Sequence, residues 1–226
     1  MSVLQRIDIK KVLLLSVVTF ATYLFCAAYH AEDEVYTLFD VVFLRRDLLK
    51  NVGRESYYFN PYSEWFEFAM PILFPVLSVT LLCEELKSGT SRYSELRVGK
   101  RKFFKDVILS ALLTSLIIYM ISYLLFEIFV LVAVPPASEE VYVVGESVSE
   151  MVALGMKGIG RTLIQIVFVT FMSLMMAFLS KDKYVAVTIP FIVYYMMSPY
   201  YISEWVYIGL IVIMFWISEW LMERGN

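Results

Sequence analysis

Long apolar runs separated by short clusters of charge constrain this chain more than any other feature of its sequence. A helix needs roughly 20 mostly apolar residues to cross a hydrocarbon layer of about 30 Å. Six stretches reach or approach that length: Val12–His30, Trp65–Cys83, Val107–Val134 with Glu127 inside it, Thr162–Ser180, Tyr184–Tyr201 and Trp205–Ser218. The last two are parted only by Ile202, Ser203 and Glu204, so they read either as a tight helical hairpin or as a broken pair. With 60% of its 226 residues hydrophobic, and a mean hydropathy of +0.70, the chain is too apolar to hide its side chains in one soluble core. No repeat, low-complexity tract or flexible linker divides it. The expectation is an all-α integral membrane protein of six transmembrane helices, a single transmembrane domain over residues 1–226. A secretory signal peptide is the other reading of the first run, because Lys10 and Lys11 precede it and Cys26, Ala27 and Ala28 close it. The run is longer than the usual apolar region of such a peptide, about 7 to 15 residues.

Basic residues crowd cytoplasmic loops, and this sets an orientation. With both termini inside, thirteen of the 19 Lys and Arg are cytoplasmic, and only Arg45, Arg46, Lys50, Arg54, Lys157 and Arg161 lie outside. Of the 22 acidic residues, eight fall inside and thirteen outside, with Glu127 within the third run. The location expected is a multi-pass position in the cell membrane with both termini cytoplasmic. The acidic outer side either attracts a cationic substrate or follows from keeping positive charge inside. Cys26 falls late in the first span and Cys83 at the cytoplasmic end of the second, so they cannot easily meet and read as buried apolar residues.

Two outer loops are long enough to carry structure. In the first, Val35, Leu38, Phe39, Val42, Leu49 and Val52 recur at helical spacing opposite Asp40, Asp47, Lys50 and Arg54, which predicts a helix lying along the outer interface. In the second, Pro135 and Pro136 stop the third span, and Ser147 with Glu150 has capping-box spacing, so the fourth helix is expected to start well outside the membrane. Gly155, Gly158 and Gly160 then bend that helix or allow close packing. They do not form a dinucleotide fingerprint, because Leu163 stands in the place of the third glycine and no strand precedes them.

The chemistry of an enzyme or an ion-coupled carrier is not evident. Glu127 lies about 30 Å along the third helix from Val107, near the outer face, and Gln165, Glu204 and Glu219 are near one face or the other. The one histidine, His30, is at the outer end of the first span, so no metal site is expected. Glu84-Glu85 is similar to the double glutamate of CAAX-type membrane proteases, but Gly89 occupies the place of their arginine and the histidine motifs are absent. Gly99-Lys100 is not a phosphate-binding loop, since Ser94 replaces its first glycine. No cofactor, nucleic-acid partner or catalytic residue is expected.

The most informative stretch runs from Glu84 to Asp106. Gly89 can stop the second span, Thr90 or Ser91 can cap a new helix, and Gly99 offers the next stop before the basic run Lys100–Lys105. Leu86, Thr90, Tyr93 and Leu96 repeat along one face of the short helix this leaves. Presented in the cytoplasm between spans two and three, it is either a docking knob or a connector held by its basic flank to anionic lipid.

Here the chain resembles the type-2 permeases of ATP-binding-cassette transporters. The resemblance covers the six-span plan, and its motif lies in this loop, at Glu85, Gly89, Thr90 and the stretch from Arg97 to Lys105. Many members carry a proline before the basic segment, where this chain has Val98-Gly99. The resemblance implies an exporter half without an ATPase site, working as a homodimer or heterodimer of permeases with separate cytosolic ATP-binding-cassette ATPase subunits. It implies a coupling helix shaped by Gly89 and Thr90, with Tyr93 and Leu96 fitting an apolar groove on the ATPase. The alternatives are a substrate-capturing subunit of an energy-coupling-factor importer, for which Ala21, Ala27 and Ala28 are poorly spaced, and an intramembrane enzyme. For the substrate, Tyr194, Tyr195, Met196 and Met197, with Pro199, Tyr200 and Tyr201, form either an adaptable path for a peptide, lipid or other amphipathic molecule or an ordinary aromatic belt.

Overall fold

Apolar side chains at helical spacing, with few glycines or prolines inside the runs, fold this chain into helices wherever its sequence is continuous in hydropathy. The computed structural model describes residues 8–31, 34–45, 64–135, 148–197 and 203–224. The helices are α1 (Ile9–Cys26), α2 (Glu64–Leu73), α3 (Val76–Ser88), α4 (Thr90–Val98), α5 (Lys100–Ala133), α6 (Val148–Ser180), α7 (Lys183–Met197) and α8 (Glu204–Arg224). Four apolar segments are long enough to cross a membrane: Ile9–Cys26, Phe68–Ser88, Lys100–Ala133 and Met156–Ser180. The protein is thus predominantly helical, with several helices compatible with a membrane location. The fifth run gives the shorter apolar helix Lys183–Met197, and the apolar part of α8 spans Glu204–Ser218. The 15 residues of α7 amount to about 22 Å of helix.

The chain divides into two compact units, and α1, α2, α5 and α6 contribute residues to both. The first comprises Met1–Leu14, Met70–Ile118 and Leu163–Asn226. Its core joins Val79, Leu82 and Cys83 of α3 to Phe103, Val107 and Ala111 of α5, and to Phe171, Leu174 and Ala177 of α6, with Ala186 of α7. A second group of rings, Phe168 of α6, Tyr194 of α7 and Tyr207 of α8, is almost wholly buried. Tyr207 lies 5.2 Å from Phe168 and 6.4 Å from Tyr194 between ring centroids.

The second predicted span is not one continuous helix. Proline has no N–H to donate, and Pro75 breaks the ladder so that α2 ends at Leu73 and α3 starts at Val76. The carbonyl of Phe74 at this break accepts a hydrogen bond from the Ser115 hydroxyl at 3.0 Å, and Ser115 Oγ accepts one from the Thr170 hydroxyl at 3.1 Å. Both hydroxyls are buried, so α5 and α6 satisfy a backbone group that lipid cannot.

The second unit comprises Leu15–Ala69 and Tyr119–Thr162. Its buried centre is aromatic: Tyr23 stacks on Phe66 at 4.5 Å and lies 5.6 Å from Phe126. Two expectations are corrected here. The first span ends at Cys26 rather than His30, because Ala28–Ala31 pairs antiparallel with Glu34–Thr37, strands β1 and β2, placing His30 opposite Val35. The long interfacial helix starting at Val35 is not formed, since Val35 is in β2. Helical backbone begins only at 38 and widens into a π-helical turn over Asp40–Leu44. The cause is local: Thr37 Oγ1 accepts from the Asp40 N–H at 3.1 Å while an Asp40 carboxylate oxygen accepts from the Thr37 N–H and hydroxyl at 3.0 and 2.8 Å. That reciprocal cap fixes where the helix starts. Leu49 and Val52 of the same expectation lie outside the described residues.

The fourth helix does begin at Val148, directly after the predicted cap Ser147, which itself lies outside the described residues. It runs through Gly155, Gly158 and Gly160 without a break, and a Cβ at Gly160 would meet open space, so close packing is not the role of that glycine. Cys26 and Cys83 are both free thiols.

Candidate functional site

The elbow between α3 and α5 owes its shape to two glycines. Gly89 has φ +75° and ψ 1°, the left-handed conformation that ends α3, and Gly99 has φ +86° and ψ 142°, which ends α4. A Cβ at either position would meet nothing within 4 Å, so the backbone angle, and not crowding, calls for glycine. Between them α4 has nine residues. Thr90 does not cap it through its side chain. Its hydroxyl turns back, 2.9 Å from Ser88 Oγ and donating to the Glu85 carbonyl at 3.3 Å, so it closes the end of α3.

α4 has one held side and one bare side. Ser91 is buried and Val98 packs against the core, as does Leu86 at the end of α3. Tyr93 is 78% exposed and Leu96 86% exposed. The predicted face is therefore split: Leu86 faces inward and Tyr93 and Leu96 face outward. Glu85 lines a cleft of about 170 Å³ between α3 and α5, together with Ser78, Ser110 and Thr114.

A contact invisible to local pattern secures this elbow. The Lys87 ammonium lies 3.6 Å from Asp182, in the turn between α6 and α7. Asp182 also caps α7, accepting the N–H groups of Tyr184 at 2.8 Å and Val185 at 3.3 Å. Those two N–H bonds, and then Lys87, hold its carboxyl below the usual carboxylate range. Lys181 beside it adopts the left-handed conformation, φ 55°. The capping role was legible, as an Asp just before an apolar run, but sequence reasoning passed over it. The pairing with Lys87 carries no sequence signal.

The four residues offered as a translocation path do not form one surface. Tyr194 is buried against Tyr207, whereas Tyr195 and Met196 are exposed and Met197 is half-buried. Tyr195 stacks instead on Phe191 of its own helix, 6.4 Å away. Pro199, Tyr200 and Tyr201 lie outside the described residues. Among the described residues no group of three or more His, Cys, Asp or Glu is placed to hold a metal ion. Compared with protein-family models, with curated proteins and with solved structures, the chain matches none.

Proposed function

We propose that this chain is the membrane-spanning permease subunit of an ATP-binding-cassette exporter of the type-2 kind. It would cross the cell membrane six times with both termini in the cytoplasm, and pair as a homodimer or heterodimer with cytosolic ATPase subunits. The observation that carries the reading is α4, a nine-residue helix bounded by glycine stops between two apolar segments, with Tyr93 and Leu96 bare. An exposed apolar side chain within a span faces lipid and needs no explanation. In a segment as polar as Thr-Ser-Arg-Tyr-Ser-Glu-Leu-Arg it calls for a partner with an apolar groove. The elbow is also braced well enough to transmit force. Leu86 and Val98 root it in the core, and Lys87–Asp182 ties it to the next turn. Closure of the ATPases on ATP would move α4, and α3 and α5 with it, as a rigid-body shift. The cargo in this reading is a peptide, lipid or other amphipathic molecule.

Replacing both Tyr93 and Leu96 with Asp tests the docking role. Burying unpaired carboxylates in an apolar groove costs at least about 1 to 3 kcal/mol for each unsatisfied group. The double variant should stay monodisperse yet lose copurification with the cytosolic ATPase subunit this reading requires, and lose transport. Undiminished association and transport would remove these residues from any coupling interface. The topology has its own test: single cysteines at the exposed Arg92 and at Ser138, probed in intact cells with an impermeant thiol reagent, should react only at 138.

A further inference from the structure

A second cleft, of about 230 Å³, opens between the start of α5, the end of α6 and α8. Phe103, Phe104, Met175, Phe178 and Leu179 form its walls, with Glu95, Lys100 and Ser218 also lining it. Phe103 and Phe104 are buried, and Phe104 lies 4.8 Å from Phe178 between ring centroids. The lining repeats at helical spacing on both sides: 100, 103 and 104 on α5 and 175, 178 and 179 on α6. Lys100 therefore sits about 5 Å, one helical turn, from the aromatic floor. Around it Arg97, Arg101, Lys102 and Lys105 are all exposed, and among the described residues of the lining the acid is Glu95.

We propose that this cleft is a binding site for one acidic phospholipid, with an acyl chain among the α5 and α6 rings and the phosphate on Lys100. Three features select that occupant. The walls are apolar and the mouth is positive, the order in which a phospholipid presents its own chain and phosphate. α5 runs without interruption from the basic turn into an apolar segment, so the cleft lies where headgroup gives way to acyl chain. A headgroup carrying its own cation would meet the cluster of Arg and Lys with like charge, and one with net negative charge would not. The site does not depend on the transport reading, since it requires only that the chain sit in a membrane.

Native mass spectrometry of the purified full chain, titrated with phosphatidylglycerol or with phosphatidylcholine of the same acyl composition, reads this directly. One phosphatidylglycerol should bind saturably, several-fold more tightly than phosphatidylcholine. Lys100→Gln should weaken phosphatidylglycerol roughly five-fold, the effect of one basic charge at a membrane surface, and weaken phosphatidylcholine less, because its headgroup cation already offsets the phosphate it shares. Met175→Trp, which fills the cleft, should weaken both lipids. Leu179→Gln should do the same and is the safer variant, because Leu179 is 62% exposed and its change leaves the core intact. Equal affinity for the two lipids, or affinity for phosphatidylglycerol that none of these substitutions moves, would overturn the proposal. So would full displacement by free glycerol phosphate, since that would show a phosphate site with no use for the acyl chain.

Discussion

Two short tracts of this chain look alike in sequence and are opposites in structure. Around Tyr93 and Leu96, isolated apolar residues stand in a polar helix; from Tyr194 to Met197, tyrosines and methionines crowd the end of an apolar one. Each offers an amphipathic surface on paper. In the fold, Tyr93 and Leu96 touch no core, whereas Tyr194 is 2% exposed and is a packing element wedged toward Tyr207. Tyr195 and Met196 are exposed on an apolar helix, where lipid is the ordinary neighbour. Exposure thus carries information only where lipid is not expected, and it is the elbow, not the tyrosine tract, that asks for a partner.

Removal of the Tyr194 ring should produce the largest effect. Tyr194→Ala would empty a site between α7 and α8 and cost about 3 kcal/mol, the low end for a large aromatic, because the lipid-solvated unfolded state retains part of the transfer energy. Tyr195→Ala should change stability by less than about 0.5 kcal/mol. Unfolding of the two variants by titration with SDS measures both. Equal losses would show that the tract is one surface and would dissolve the contrast.

Next come the glycines that shape the elbow. Neither site is crowded, so alanine there costs only backbone strain, about 1 kcal/mol in the left-handed region and toward 3 kcal/mol for the rarer angles of Gly99. Gly99→Ala should therefore destabilise more than Gly89→Ala in the same titration. Both should reduce ATPase association more than Tyr195→Ala does. If Gly99→Ala is neutral in both measurements, the turn into α5 is not fixed by that angle.

What the sequence disclosed and what it hid divide along physical lines. Gly89 and Gly99 were legible as stops because the demand for positive φ is local, and the start at Val148 was legible because capping-box spacing in the sequence is local too. Thr37 and Asp40 form just such a cap, but the apolar repeat around them, Val35 to Val42, drew attention to a longer helix that the cap cuts short. Pro71 and Pro75 lay in plain view inside the second span, and hydropathy averaging passed over them, although Pro75 breaks it. The hydroxyl relay from Thr170 through Ser115 to Phe74, the Lys87–Asp182 pair and the cleft at Lys100 are tertiary, joining residues whose spacing along the chain has no pattern. At the candidate site, then, the residues of α4 could be named in advance, but not what braces them.

The smallest effect concerns that brace and separates its two causes. The native carboxyl of Asp182 titrates below its usual value, so it contributes stability above the unfolded pKa of about 3.9 and loses that contribution as the pH falls through the lower native value. Wild type should therefore exceed Asp182→Ala in stability at neutral pH, and the gap should close below about pH 4. The N–H groups of Tyr184 and Val185 are the larger cause and Lys87 the smaller. The Lys87 side chain is 58% exposed, and an ion pair so open to water is weakened by salt. Lys87→Met should accordingly leave most of the pH dependence in place, and added salt should abolish only the part that Lys87→Met removes. Melting curves from pH 3 to 7, at low and high salt, separate the outcomes. If Lys87→Met erased the pH dependence as fully as Asp182→Ala, the ion pair and not the cap would hold the α6–α7 turn, and the elbow would be braced by a contact that salt can dissolve.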